Sequence, residues 1–307
     1  MTEQLLGIDW GSTNRRAYLV TASGSRLLRH EDDRGILAEN GQFAASLNAL
    51  RTQLGVSPDI PVVMSGMVGS AQGWQEVAYL GNHVSLGDLP RSLSPLQDLA
   101  AGESCFIVPG YYYADHEIDV MRGEETQLLG ALALGHGSGW VVLPGTHSKW
   151  VYINSGRMAH WSTYMTGEMF AMLSREGTLS SLLRVGVEHE DMADFDAGIV
   201  FARKRLTLTN ALFSVRARVV SGAMPAAKAR AFVSGLLIGT EFVGAQDSDT
   251  VCESITLIGS DALVQRYARA ASLFNIAFKI MDPHDVYCAA LSRIFVGVQT
   301  QGNFHAR

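Results

Sequence analysis

The residues best suited to chemistry lie close to the start of the sequence. Asp9 ends a short apolar run, and small polar residues follow it: Gly11, Ser12, Thr13 and Asn14. A hairpin of this composition offers amide and hydroxyl donors to phosphate oxygens, and an acid just before it can hold Mg²⁺. Arg16 would be a further partner for an anion. The same pattern also fits an ordinary polar hairpin with Asp9 in solvent.

A second turn of small residues follows Leu143-Pro144. It contains Gly145 and Thr146, with Ser148 and Lys149 just beyond. We expect these residues to contact phosphate groups in the same way, although a plain hairpin with Lys149 in solvent is the alternative. Two hairpins of this kind in one chain are more specific than either hairpin alone.

Paired carboxylates open a predicted helix in the segment Arg122-Gly123-Glu124-Glu125-Thr126. Acids in the first turn of a helix complement its dipole, which is the structural explanation. A carboxylate there could also accept the proton of an attacking hydroxyl. Glu124, Glu125 and Asp9 are therefore the catalytic candidates, and the sequence does not decide between the two glutamates. Asp119 and Glu168 are the next candidates for the base.

A fourth segment, Leu257 to Asp261, has the form strand–glycine–helix. Gly259 and Ser260 lie where a nucleotide could rest against a helix N-terminus. The sequence contains no G-x-x-x-x-G-K-[ST] phosphate-binding loop and no H-E-x-x-H zinc motif. Its nine histidines show no spacing typical of metal ligands.

Strands and helices must position these residues. Apolar runs and turns predict a three-stranded meander over the first thirty residues, a helix from Phe43 and a strand at 61–64. Strands flank the Pro144 turn, residues 166–243 are mostly helical, and the end of the chain alternates strand and helix. Asp282 and Pro283 fit the start of the last helix.

Two regions each begin with strand, polar turn and strand, near residues 5–20 and 139–154. This repetition predicts an α/β protein of two lobes, 1–134 and 135–307, with the boundary near Gly135. We expect the first lobe to carry the first phosphate hairpin. The second lobe would carry the second hairpin and the Gly259 turn, and the last helix could pack back on the first lobe.

Composition limits the classes of partner. The chain has 307 residues, 47% of them hydrophobic, which suffices for a sizeable core. Its 24 basic and 30 acidic residues give a net charge of −6, which disfavours nucleic acid as a partner. The sequence shows no signal peptide or membrane span, and its three cysteines form no CxxC pair. These features predict a cytoplasmic protein and leave a homodimer open.

The order of the two hairpins and the Gly259 turn resembles the actin/Hsp70/sugar-kinase superfamily. Further segments resemble, more narrowly, the 2-dehydro-3-deoxygalactonokinase family: Met67–Trp74, Met121–Gln127, Leu143–Trp150, Thr163–Phe170 and Ser234–Gly239. With the first hairpin and the Gly259 turn they extend over residues 6–260. The resemblance implies a two-lobed actin-like ATPase fold with ribonuclease H-like domains and a nucleotide cleft between the lobes. It also implies that the first lobe, 1–134, carries the sugar-acid site and that the Gly259 turn of the second lobe, 135–307, contacts adenosine.

The resemblance also implies the reaction, which is phosphorylation of 2-dehydro-3-deoxy-D-galactonate at its 6-hydroxyl by ATP and Mg²⁺ in galactonate catabolism. One position departs from the pattern. Many superfamily members begin the second hairpin with an acid, and this chain has Leu143-Pro144 there. Any role of that acid must be absent or supplied elsewhere, for example by Glu124 or Glu125.

A sugar-acid substrate needs a cation for its carboxylate, because burying an unpaired charge is costly. Arg16, Arg122 and Lys149 are candidates, while Gln72 and Trp74 are expected to shape the sugar side. The Arg-Gly-Glu-Glu segment also resembles the start of a helix in exopolyphosphatases. An exopolyphosphatase-like phosphohydrolase or another sugar-acid kinase is therefore the alternative, and a non-enzymatic ATP switch is a third class.

Overall fold

The structure of the protein, a computed structural model, describes residues 3–97, 103–114, 117–185, 191–246, 250 and 252–305. Its strands are β1 Gln4–Trp10, β2 Arg15–Thr21, β3 Arg26–Asp32, β4 Val62–Ser65, β5 Leu80–Gly81, β6 Ser94–Pro95, β7 Cys105–Ile107, β8 Tyr111–Ala114, β9 Ile118–Met121, β10 Gly139–Leu143, β11 Ser148–Asn154, β12 Arg157–Tyr164, β13 Ser254–Ile258 and β14 Ala277–Met281.

Its α-helices are α1 Ile36–Glu39, α2 Phe43–Leu54, α3 Glu124–Ala133, α4 Thr166–Arg175, α5 Ser180–Leu183, α6 Met192–Ala202, α7 Leu208–Val220, α8 Ala229–Gln246, α9 Asp261–Leu273 and α10 Pro283–His305. Short 3₁₀ helices cover Met67–Gly69, Leu86–Arg91 and Ala226–Lys228. Among the described residues, no helix combines the length and the apolar composition that a membrane crossing requires.

The chain divides into two compact units. The first unit comprises residues 1–138, 152–161 and 281–307, and the second comprises 139–151 and 162–280. This division places residues 152–161 and 281–307 with the first unit. The sequence-based boundary at residue 135 put 152–161 in the second lobe, and it left the last helix able to pack back on the first lobe.

The main sheet of the first unit has the strand order β3-β2-β1-β4-β7-β6. The meander β1–β3 is antiparallel, and β1, β4 and β7 are parallel to one another. One face of this sheet covers an apolar core that includes Trp10, Phe43 and Met64. In the parallel register Asp9 is paired with Ser65, so both residues lie at the carboxyl edge where ligands bind in α/β sheets.

A second sheet has the order β12-β11-β10-β13-β14, with β10 and β13 parallel. Three consecutive strands followed by a crossover to a parallel strand also describe β3-β2-β1-β4 in the first unit. The two sheets therefore repeat one topology. This repetition accounts for the strand–turn–strand pattern that occurs twice in the sequence. A separate small sheet has the order β5-β8-β9.

The last helix, α10, belongs to the first unit. Asp282 accepts hydrogen bonds from the backbone N–H groups of His284 and Asp285, so it caps α10 as the Asp282-Pro283 pair predicts. The helix packs against α3 and against β1 and β2. Its Tyr287 hydroxyl lies 2.8 Å from the Ser65 hydroxyl in a buried hydrogen bond.

Candidate active site

Asp9 lies on β1 directly before the first polar hairpin. Its side chain is 24% exposed, and Arg16, its cross-strand partner, donates a hydrogen bond of 3.4 Å to its carboxylate. Burial raises the pKa of Asp9 above its ordinary value, the Arg16 charge opposes that rise, and the carboxylate of Glu124 adds to it. Asp9 and Glu124 therefore act electrostatically on one another.

Two glycines let the chain pass close to Asp9. Gly66 follows β4 with a φ of 88°, and Gly123 precedes α3 with a φ of 112°. A β-carbon on Gly66 would lie 2.9 Å from the Trp10 carbonyl oxygen and 3.5 Å from Asp9 Oδ1, and one on Gly123 would lie 3.2 Å from the Gly66 Cα. Glycine satisfies both the left-handed conformation and the close approach.

The two adjacent glutamates of α3 have different environments. Glu125 is fully buried, and its carboxyl accepts hydrogen bonds from the backbone N–H of Gly123 (2.6 Å) and the hydroxyl of Thr126 (3.0 Å). Burial, with a smaller contribution from Glu124, raises the pKa of Glu125 to about 8. Glu124 is half-buried and accepts a hydrogen bond from the backbone N–H of Arg122.

The first hairpin is held through its backbone carbonyl groups. The carbonyl oxygens of Gly11 and Ser12 accept hydrogen bonds from the amides of Ile36 and Leu37 in α1. Gly35, just before α1, contacts the Ser12 carbonyl so closely that a β-carbon would overlap it. Ser12, Thr13 and Asn14 are exposed, so their side chains are available to a ligand.

The second hairpin is held in the same way, by the start of α4. The amide of Glu168 donates to the Thr146 carbonyl oxygen (3.0 Å), and a β-carbon on Gly167 would overlap the Gly145 carbonyl oxygen. Thr146 is exposed. Each unit thus carries a small-residue hairpin whose carbonyl oxygens are occupied by a helix start.

Ser148 and Lys149, both predicted to contact phosphate, lie in the interior. Ser148 is fully buried, with its hydroxyl 2.8 Å from that of Tyr267, and Lys149 is 4% exposed. The solvent-facing alternative for Lys149 therefore does not hold. The burial of Ser148 removes its hydroxyl from the exposed part of the hairpin, so we leave it out of the phosphate-binding set.

The turn at Gly259 lies next to the second hairpin. Because β10 and β13 are parallel neighbours, their carboxyl ends meet at one edge of the sheet. A β-carbon on Gly259 would lie 3.4 Å from Pro144 Cδ, and Ser260 is exposed. The second unit thus presents Thr146 and Ser260 from adjacent turns.

The predicted substrate contacts differ in how far their side chains are already engaged. Arg16 is bonded to Asp9 and Glu31. Gln72 is exposed, whereas Trp74 is half-buried and stacks on Phe43 with ring centroids 6.0 Å apart. Trp74 therefore contributes to the core with at least one face.

Arg122 has unsatisfied hydrogen-bonding capacity. Its Nη2 donates to the Val77 carbonyl oxygen (2.7 Å), and its guanidinium lies 4.2 Å from the Tyr79 ring centroid. Within the described chain, Nε and Nη1 are buried and have no hydrogen-bond partner. A β-carbon on Gly69 would lie 2.9 Å from Nη1, so Gly69 leaves room for this group.

A histidine–carboxylate pair was missed as a pair by sequence reasoning. His147 Nε2 and Glu168 Oε2 are 2.5 Å apart, which joins the tip of the second hairpin to α4. Both residues lie in segments that carry the family resemblance. Their contact depends on packing between elements about twenty residues apart, which periodicity does not reveal.

The described residues contain no cluster of three His, Cys, Asp or Glu side chains suited to a metal ion. Mg²⁺ in phosphoryl-transfer sites usually takes one or two carboxylates, with phosphate oxygens and water completing its shell. Asp9, which lies beside the first hairpin, fits that arrangement as a single carboxylate ligand. A single carboxylate fits an ion that arrives with a nucleotide and not one held by protein alone.

Comparison with known proteins decides the family. A family model described as 2-keto-3-deoxy-galactonokinase matches residues 9–294. The chain belongs to this family. The 2-dehydro-3-deoxygalactonokinase of Escherichia coli (strain K12) is 37% identical over 274 residues, which cover 88% of this chain and 90% of that protein. Family membership makes the chain a sugar kinase, a phosphotransferase with an alcohol group as acceptor, and disfavours the exopolyphosphatase-like alternative.

Solved structures give the fold. A family protein from Sinorhizobium meliloti has a TM-score of 0.86 at 33% identity, with 95% of each chain covered. The activator of 2-hydroxyisocaproyl-CoA dehydratase from Clostridium difficile, solved with bound ADPNP, has a TM-score of 0.51 at 12% identity, with 98% of this chain and 97% of that chain covered. The latter likeness concerns the fold alone. The predicted actin-like ATPase fold is confirmed.

Proposed function

We propose that this kinase transfers the γ-phosphoryl group of ATP to the 6-hydroxyl of 2-dehydro-3-deoxy-D-galactonate in galactonate catabolism. The new bond joins the sugar O6 to the γ-phosphorus, and the bond from that phosphorus to the β,γ-bridging oxygen breaks to release ADP. The name of the Escherichia coli relative supports this substrate. A cytoplasmic location, where ATP and the sugar acid are available, belongs to the same proposal.

The observation that carries the proposal is the pair of carboxylates, Asp9 and Glu124, beside the exposed hairpin Ser12–Asn14. Phosphoryl transfer requires neutralisation of phosphate charge and a group that accepts the hydroxyl proton. In this pair Asp9 can hold the Mg²⁺ that neutralises phosphate charge, and Glu124 can accept the proton. Mg²⁺ held by Asp9 would neutralise charge on the phosphate oxygens during transfer.

Glu124 is the proposed base. Glu125 is fully buried, and both its carboxyl oxygens accept hydrogen bonds from its own helix start. Glu124 is accessible and lies close enough to Asp9 to raise its pKa. In this assignment Glu124 takes the proton from the 6-hydroxyl, while Glu125 stabilises the turn that presents it.

Donors suited to ATP phosphates are proposed for each unit taken separately. In the first unit these are the amides of Gly11–Asn14 and the hydroxyls of Ser12 and Thr13. In the second unit they are Gly145, Thr146 and the Gly259-Ser260 turn, where adenosine would lie against the start of α9. The exposure of the side chains of Ser12, Thr13, Asn14, Thr146 and Ser260 supports this assignment, as do the hydrogen bonds that hold backbone carbonyl groups of both hairpins.

Arg122 is proposed to bind the carboxylate of the sugar acid. A buried cationic group whose Nε and Nη1 find no partner within the described chain is costly unless a ligand supplies one. Arg16 is already engaged by two acids. Gln72, which is exposed, and the free face of Trp74 would then meet the sugar hydroxyls.

The test is a phosphoryl-transfer assay with ATP, Mg²⁺ and the sugar acid, with ³¹P NMR to identify a 6-phosphate monoester. Asp9→Asn should lower turnover by about two orders of magnitude or more, since it removes the proposed Mg²⁺ ligand. Circular dichroism should show the variant to be folded. In a parallel reaction polyphosphate replaces ATP as the phosphoryl donor, with the sugar acid present. Phosphate release from polyphosphate without sugar phosphorylation would contradict the proposal.

A further inference from the structure

A carboxylate in the interior of the second unit has no part in the chemistry proposed above. Glu241 lies on α8 and is fully buried. Trp150 Nε1 donates to its Oε2 (2.8 Å), and the Tyr267 hydroxyl donates to its Oε1 (2.6 Å). The hydroxyl of Thr166 also hydrogen-bonds to it. The Ser148 hydroxyl lies 2.8 Å from that of Tyr267, and because the Tyr267 hydrogen goes to Glu241, Ser148 donates to the Tyr267 oxygen. One acidic side chain thus joins α8 to β11, α9 and α4.

The partners of Glu241 lie at the bases of the segments proposed to bind nucleotide. Ser148 is the first residue after the second hairpin, and Thr166 is the first residue of α4, the helix that holds the hairpin carbonyl groups. Tyr267 lies about two helical turns beyond Ser260 on α9. Ser148 and Trp150 are two residues apart on β11, so they project from the same face of the strand toward Glu241.

Burying a carboxylate destabilises the folded protein unless hydrogen bonds satisfy its oxygens. Burial raises the pKa of Glu241, and the hydrogen bonds from neighbouring side chains oppose that rise. Networks of this kind rigidify the elements that they connect and specify one arrangement. Apolar side chains would fill the same space at lower cost, so the position of the network under the hairpin requires a functional explanation.

We propose that Glu241 is a positioning residue for nucleotide binding, which sets the second hairpin, the start of α4 and the Gly259-Ser260 turn in their relative places. This inference rests on the proposed nucleotide-binding role of these segments. Glu241 does not touch the nucleotide in this account. It acts through Ser148, Thr166 and Tyr267, which hold the segments from beneath.

The principal variant is Glu241→Gln, which has nearly the same volume. Its amide nitrogen cannot accept a hydrogen bond, so at least one of the donors from Trp150 and Tyr267 loses its acceptor. We expect the dissociation constant of a non-hydrolysable ATP analogue with Mg²⁺, measured by calorimetry, to rise by about tenfold or more. The dissociation constant of the sugar acid should stay unchanged.

Two smaller changes test the same network if Glu241→Gln does not fold. Tyr267→Phe removes the bond to α9, and Ser148→Ala removes the bond to the hairpin. Each should weaken analogue binding in the same direction. The matched control is Ser234→Ala, which removes a hydrogen bond of 2.7 Å from Arg266 between the same two helices, α8 and α9. It should lower the unfolding temperature without changing analogue affinity.

Unchanged analogue affinity in folded Glu241→Gln, or in both smaller variants, would overturn the inference. An equal loss of affinity in Ser234→Ala would do so too, because the effect would then be general destabilisation. Thr146→Val separates this inference from the proposed function. If it leaves analogue binding intact, the hairpin assignment itself fails. If it weakens binding while the network variants do not, only the role of Glu241 fails.

Discussion

Neighbouring residues of the same type can have different functions because a helix turns by about 100° per residue. Glu124 and Glu125 begin α3, yet only Glu125 is enclosed by protein. The difference gives separate expectations for the two positions, one for turnover and one for stability.

For Glu124 the expectation concerns turnover. Glu124→Gln removes the proposed base, so kcat should fall by about 100-fold or more while ATP affinity changes little. Steady-state kinetics and analogue calorimetry measure the two quantities. Glu117→Gln, at an exposed acid of the same unit, is the control and should keep full activity. A Glu124→Gln enzyme with normal kcat would remove Glu124 from the mechanism.

For Glu125 the expectation concerns the free energy of unfolding. Its folded pKa of about 8 exceeds the ordinary value of 4.5, so the folded state binds more protons than the unfolded state between these values. The free energy of unfolding should therefore fall as pH rises from 4.5 to 8, by on the order of 5 kcal/mol. Glu125→Gln should flatten this dependence in urea titrations at several pH values. An unchanged slope would show that another group is responsible.

At the Arg122 guanidinium the expectation concerns substrate affinity. Arg122→Lys keeps a positive charge but loses the planar group over Tyr79 and the bond to Val77. The KM for the sugar acid should rise by about tenfold or more, with the KM for ATP nearly constant. Arg29→Gln, at an exposed arginine paired with Glu31, should change neither value. Equal changes in both KM values would argue against carboxylate binding.

At the level of secondary structure, the starts of two helices hold the two small-residue hairpins in place. Each small-residue hairpin is held by backbone amides at a helix start, those of Gly35, Ile36 and Leu37 in one unit and that of Glu168 in the other. Gly35 and Gly167 are the points of closest approach. In both places the helix approaches so closely that only glycine fits. A hairpin held by its carbonyl groups keeps its exposed side chains in a constant position, which reduces the entropy that ligand binding must overcome.

Gly167→Ala tests this arrangement. The added methyl group would meet the Gly145 carbonyl oxygen and would lie 2.8 Å from Thr146 Cα, so α4 or the hairpin must move. Affinity for the ATP analogue should fall by about tenfold, because overpacking by one methyl group costs a free energy of the size that a tenfold change in affinity represents. Gly87→Ala is the control, because no atom lies within 3.4 Å of its added methyl group. Equal analogue affinity in the two variants would contradict the role of α4.

At the scale of the whole molecule, the first unit is assembled from distant parts of the chain. Residues 281–307 return to it after the second unit has been completed. Leu291 of α10 is fully buried and contacts β1 at Gly7, two residues before Asp9. The strand that carries the proposed metal ligand therefore depends on the last helix for its packing.

Leu291→Ala should lower the unfolding free energy by about 2–5 kcal/mol, through lost burial and a cavity. Urea titration measures it, and Gln299→Ala on the exposed side of α10 should have little effect. A change of less than about 0.5 kcal/mol, typical of surface positions, would show that α10 does not support β1.

The turns and helix starts of this protein could be predicted from its sequence alone. The hairpins at Gly11 and Gly145, the start of α3 and the cap at Asp282 all depend on residues close together in the chain, where turn and capping preferences act. The repeated strand–turn–strand pattern predicted the duplicated topology for the same reason. The motifs also carried the resemblance to the family, which comparison with known proteins confirmed.

Which polar side chains are buried in the protein, and which of them find hydrogen-bond partners, depends on the tertiary structure. Ser148 and Lys149 are buried, and Glu125 is buried whereas its neighbour Glu124 is only half-buried. Arg122 retains buried hydrogen-bond donors that have no partner in the described chain. The grouping of α10 with the first unit and the ties between Glu241 and three other elements have the same origin. Burial and pairing arise from contacts between residues tens or hundreds of positions apart, and no local preference encodes those contacts.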